Sequence, residues 1–129
     1  MALKIKGITI DLGVDTKQVT DGFIAINKSL SQTDKTLKDI DKGLKLDPGN
    51  TELLSQKTKY LAQAIDQTSE KLNEEKKILQ QLEQEDGGTG KHQQQIDALK
   101  REIVETTAKQ EAYKKQLEDT SGATDKYAK

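Results

Sequence analysis

The 129-residue sequence has no cysteine and no tryptophan, one proline, one histidine and one methionine. Without cysteine there are no disulfides and no thiolate metal sites, and the redox compartment leaves no trace. Its aromatic side chains are Phe23, Tyr60, Tyr113 and Tyr127. So little large apolar surface argues against a compact monomeric globule, and the length suits one domain or a fragment rather than two separate cores. An excess of either charge is also lacking: 21 Lys and Arg stand against 22 Asp and Glu, interleaved along the chain. A phosphate backbone or an anionic membrane calls for a basic stripe, so neither nucleic acid nor membrane is an expected partner. No run approaches the ~20 apolar residues of a membrane span, and Lys4 and Lys6 precede no apolar signal region, so the chain reads as soluble.

With 33% charged and 32% hydrophobic residues, such a chain either stays disordered or sets its apolar residues at helical spacing. The spacing decides for helices. Residues 1–14 form the exception, an arm rich in β-branched residues whose apolar positions alternate as Leu3, Ile5 and then Ile8, Ile10, Leu12. Alternation changes phase across Lys6-Gly7, as at a bulge or bend. Read as one strand, the arm leaves its backbone groups unpaired, and Ile5, Ile8, Ile10 and Leu12 become candidates for pairing with another chain.

From Asp15 the period becomes that of a heptad, over residues 15–119. Val19, Phe23, Ile26, Leu30, Thr33, Leu37, Ile40 and Leu44 follow at 4-3 spacing, predicting a helix over residues 16–46 with an Asp15/Gln18 capping box. Asp34/Lys38 and Asp41/Lys45 are acid-before-base pairs on it. Asp47-Pro48-Gly49-Asn50 ends it, and Asn50 suits the cap of the next helix. The second stripe, Leu54, Thr58, Leu61, Ile65, Thr68, Leu72, Glu75, Leu79 and Leu82, predicts a helix over 50–86. Glycines at 87, 88 and 90 stop it at ~1 kcal/mol each relative to alanine. Ile96, Leu99, Ile103, Thr106, Gln110, Tyr113 and Leu117 predict a third helix over 91–119, flanked by Asp97/Arg101 and Glu111/Lys115. Residues 120–129, small and polar, read as a disordered tail or a cut end.

The fold expected is mostly α, with long antiparallel coiled-coil helices, as a helical hairpin or three-helix bundle, behind a short β arm. Thr33, Thr68, Glu75 and Gln110 stand where leucine would bury more area, and polar seam residues lower stability while fixing register. The seam residues Val19, Phe23, Ile26, Leu30, Leu37, Ile40, Leu44, Leu61, Ile65 and Leu72 are the candidates for assembly, including association with further copies.

Chemical motifs are weak. Gly87-Gly88-Thr89-Gly90-Lys91 resembles the end of a phosphate loop, but Glu85 stands where the first glycine belongs and His92 where Ser or Thr belongs. It reads as a helix-to-helix turn. Asp39, Asp41 and Gly43 lack the remaining calcium-loop ligands, and His92 has no Cys or second His to share a metal. No catalytic residue, cofactor, metal or small-molecule substrate is expected. Leu46-Asp47-Pro48-Gly49-Asn50 resembles a tetratricopeptide turn, which keeps a peptide-binding helical module as an alternative, beside a bacterial coiled-coil interaction protein.

Three segments, IKGITIDLGVDT, GLKLDPGNTELLSQKTKYLAQAI and QIDALKREIVETTAKQEAYKKQLE, together resemble the N-terminal region of phage and prophage tail tape measure proteins. The similarity covers nearly the whole chain and is most specific over residues 44–61. It departs from the pattern at 86–90, where many relatives carry a longer charged segment. The resemblance implies a structural role: such proteins fill the tail tube and set tail length. It also implies other tail proteins as partners, the host cytoplasm and then the tail interior as locations, and a chain continuing past Lys129.

Overall fold

The computed structural model describes residues 2–13 and 17–127. Strands β1 (Ala2–Ile5) and β2 (Ile8–Asp11) precede helices α1 (Lys17–Leu46), α2 (Thr51–Asp86) and α3 (Gln93–Tyr127), and the three helices pack against each other. Asp15 of the expected capping box lies outside the described residues.

The arm corrects the single-strand reading. β1 and β2 pair antiparallel with Leu3 opposite Ile10 and Ile5 opposite Ile8, so the arm supplies its own partner strand. Lys6 and Gly7, at φ of 55° and 75°, form the two-residue turn, and positive φ at both centres marks type I′. That turn explains the phase change: across a two-residue hairpin, 3, 5, 8 and 10 share one face. Leu3, Ile5, Ile10 and Leu12 are buried on it and Ile8 is partly buried.

Two compact units share the helices, where a single core was expected. The first, residues 1–27 with 70–108, packs the hairpin face against Phe23, Ile78, Leu82, Ile96, Ala98 and Leu99. In its glycine link the Asp86 carboxylate accepts the Gly90 N–H at 3.0 Å and the His92 N–H at 2.7 Å, confirming a helix-to-helix turn. Those two backbone donors hold the Asp86 carboxyl below its ordinary range, that of His92 acting more strongly.

The second unit, residues 28–69 with 109–129, buries Leu30, Leu37, Leu61, Ala64 and Tyr113 as its core. Its turn has the expected cap, with Asn50 Oδ1 accepting the Leu53 N–H at 2.9 Å. Here α1 and α2 run antiparallel: Thr33 bonds Gln67 while Asp41, further along α1, pairs with Lys57, earlier on α2. The acids at 34 and 41 thus pair across helices, with Lys109 and Lys57, rather than with the lysines four residues on.

Helix α3 corrects the predicted tail, continuing through Thr120 to Tyr127. The stripe does not stop at Leu117. It passes through buried Thr120 and half-buried Thr124, whose hydroxyls donate to the carbonyls of Gln116 and Thr120, four residues earlier.

Candidate functional site

The least ordinary chemistry lies in the seams. The four polar seam residues that stand where leucine would bury more area, Thr33, Thr68, Glu75 and Gln110, are buried. In the second unit Thr33 Oγ1 donates to Gln67 Oε1 at 2.7 Å and accepts from Gln63 Nε2 at 3.0 Å, tying α1 to α2. Gln110 Nε2 on α3 donates to Ser69 Oγ at 2.7 Å and to the Ile65 carbonyl at 3.1 Å on α2. Thr68 turns its hydroxyl onto its own helix, at the Ala64 and Ile65 carbonyls. The Tyr113 hydroxyl donates to Asp34, whose other carboxylate oxygen is 2.7 Å from Lys109 Nζ. Burial first, and then the Asp34 hydrogen bond and charge, raise the Tyr113 phenol above its ordinary pKa.

The first unit holds the carboxyl cluster. Glu75 is fully buried, with 0% of its surface exposed, and its Oε2 lies 2.8 Å from Thr106 Oγ1. Its Oε1 has no hydrogen-bond partner among the described residues. Around it, Lys71 Nζ is 3.1 Å from Glu102 Oε1, Lys6 Nζ is 3.7 Å from Glu102 Oε2, and Lys6 also pairs with Glu105. The Lys71 ammonium sits 5.8 Å from the centre of the Phe23 ring, within cation–π range. Burial pushes the Glu75 carboxyl up to about 7, against the opposing pull of the Thr106 bond and the Lys71 charge; Glu102 pushes it slightly higher.

The candidate seam residues divide between the units. Phe23, Leu30, Leu37, Ile26, Ile40 and Leu61 are buried, while Val19, Leu44, Ile65 and Leu72 are half-buried. The α1 stripe is thus covered from within the chain. Spacing did not single out Ile78 and Ala64, both fully buried on α2. A helix touching two neighbours buries a wider face than a single seam, and Ile78 beside Leu79 was the available sign. Thr106 was read as an ordinary stripe residue; its role toward Glu75, 31 positions away, has no signature in spacing.

Among the described residues, two surface grooves of the second unit stand out. One, of about 540 Å³, is lined by Lys38, Asp41, Lys42, Leu44, Lys45 and Lys57. The other, of about 300 Å³, is lined by hydroxyls and amides that include Ser29, Thr36 and Gln63, with Tyr60 at its wall. In the first groove Lys57 Nζ lies 2.8 Å from Asp41 Oδ1. Among the described residues no three His, Cys, Asp or Glu are grouped to hold a metal, and no helix is long and apolar enough to cross a membrane. The chain matches no protein-family model, no curated protein and no solved structure.

Proposed function

We propose that this chain is a non-catalytic assembly module, the N-terminal region of a phage tail tape measure protein, and within it a terminal attachment region rather than a ruler segment. One observation carries the second half of this reading: the seam side chains hold helix to helix within the chain, as in Thr33 with Gln63 and Gln67, and Gln110 with Ser69. An extended helix is a natural ruler at 1.5 Å per residue. A chain folded back through short turns and tied by buried polar pairs suits a docking end instead. The resemblance in sequence supports the first half.

In this reading the region meets other tail proteins and further copies of itself in the host cytoplasm and ends in the tail interior. With the α1 stripe covered, exposed apolar residues such as Ile24, Leu46 and Val104 are the surfaces left for those contacts. Helices of 30, 36 and 35 residues weigh against a tetratricopeptide array, whose repeats fit two helices into 34 residues.

The test is genetic. In-frame removal of 17–127 from the producing phage should abolish tails, whereas deletions in the region encoded after Lys129 should shorten them. Normal tails without 17–127, or a gene lying away from tail tube and baseplate genes, would overturn the proposal and leave a cellular coiled-coil interaction protein.

A further inference from the structure

Counting hydrogens around Glu75 gives an answer that does not depend on the proposed function. Thr106 Oγ1 lies 2.8 Å from Glu75 Oε2 and 3.0 Å from the Glu102 carbonyl oxygen. A threonine hydroxyl has one hydrogen to give. If Glu75 is ionised, both neighbours are acceptors and one short contact holds no hydrogen. If Oε2 is protonated, it donates to Thr106 Oγ1, the hydroxyl donates to the Glu102 carbonyl, and both contacts are satisfied.

Charge counting agrees. Every charged group recorded against this cluster belongs to three elements: Lys6 from the hairpin, Lys71 from α2, and Glu102 and Glu105 from α3. Their two positive and two negative charges already cancel, so an ionised Glu75 would add an unmatched charge. From α1 the recorded neighbours are the Phe23 ring, against Lys71, and Gly22, against the carboxyl of Glu74. Glu74 has its own ion pair, with Lys77 at 3.5 Å, and among the described residues no ion pair reaches the cluster from α1. The unpartnered Oε1 fits the same picture, because an unsatisfied oxygen of a neutral acid costs far less in a buried seam than a share of a full carboxylate charge.

We propose that Glu75 is a proton latch: as a neutral acid it joins α2 to α3 through Thr106, and its ionisation loosens that contact within the first unit. The latch responds to pH by itself, with no ligand. Its direction follows from the neutral form being the one that fits, so the unit tightens as pH falls and loosens as pH rises.

The experiment uses the intact chain. Carbon-13 NMR of the glutamate carboxyls should find one resonance, lost in Glu75→Gln, that titrates near neutrality. Hydrogen exchange, corrected for the intrinsic pH dependence of amide exchange, should show protection across 70–79 and 99–108 falling between pH 5 and pH 8. A rise from 4.5 to about 7 sets the limit of that fall at roughly seventyfold over this pH window. Glu75→Gln keeps a donor toward Thr106 but cannot ionise, and its protection should stay level over the same range. It retains His92, so any contribution of that residue appears equally in both proteins. A Glu75 carboxyl titrating in the ordinary carboxylate range would overturn the latch, as would a Glu75→Gln variant with the full pH dependence. Should the variant fail to fold, the wild-type titration alone decides.

Discussion

A buried seam position filled by leucine gains area, while one filled by glutamate gains a dependence on protons. Glu75 has a folded pKa above its unfolded value, so the stability it contributes is fully present below about 4.5 and is lost as pH rises to about 7. The loss is worth up to about 3 kcal/mol, at 1.36 kcal/mol per pKa unit. Asp86 works the other way: its lowered pKa contributes stability that is present above the ordinary carboxylate range and lost as pH falls. The urea midpoint should therefore peak in mild acid and decline toward pH 8, and a midpoint rising from pH 5 to 8 would contradict this assignment. Apolar positions follow area alone. Leu61→Ala, at a fully buried site, should cost ~2 to 5 kcal/mol. Leu46→Ala, at a side chain 90% exposed, should change stability by less than ~0.5 kcal/mol in the same denaturation series.

Elements are set by their ends. Asn50→Ala removes the acceptor for the Leu53 N–H and should cost ~1 kcal/mol. Gly122 lies inside α3 with open space around it and no positive φ, so Gly122→Ala should stabilise by up to ~1 kcal/mol. Gly7 also faces open space but sits at φ 75°, and Gly7→Ala should destabilise by ~1 kcal/mol or more. Opposite shifts in melting temperature for these two glycines would separate backbone conformation from crowding. Both elements that escaped the sequence reading did so for local reasons. Lys-Gly is a poor type I′ signal because lysine seldom takes positive φ, so the arm looked like one bent strand. Thr120 and Thr124 have low helix propensity, so a stripe continuing in threonine passed for a tail.

At the scale of the molecule, the turns at 47–50 and 86–90 and the helix stripes were legible, because proline, glycine and heptad spacing each act on the backbone nearby. The pairing of the arm with itself and the cluster around Glu75 were not, since both depend on which elements meet. The hairpin covers Phe23, Ile78, Leu82 and Leu99, so deleting residues 1–13 uncovers a core rather than freeing a sticky strand. The shortened chain should melt earlier by calorimetry; light scattering on the same samples reads whether association also changes. An unaltered melting temperature would show that the hairpin contributes nothing to the core.

The order in which the chain leaves the ribosome adds a constraint that the finished fold hides. Asp11 reaches Gln95 on α3 and Gly13 reaches Glu85 near the end of α2, separations of 84 and 72 residues, so the hairpin is made well before the side chains that tie it down. By contrast, Thr33 can meet Gln63 and Gln67 as soon as the first half of α2 is made. Until α3 emerges, the apolar hairpin face of Leu3, Ile5 and Ile10 has part of its cover missing, and that interval is when chaperones or proteases compete for it. A chain stalled before Gln93 lacks one wall of both units, and it should be cleared by proteases while a chain that includes α3 persists.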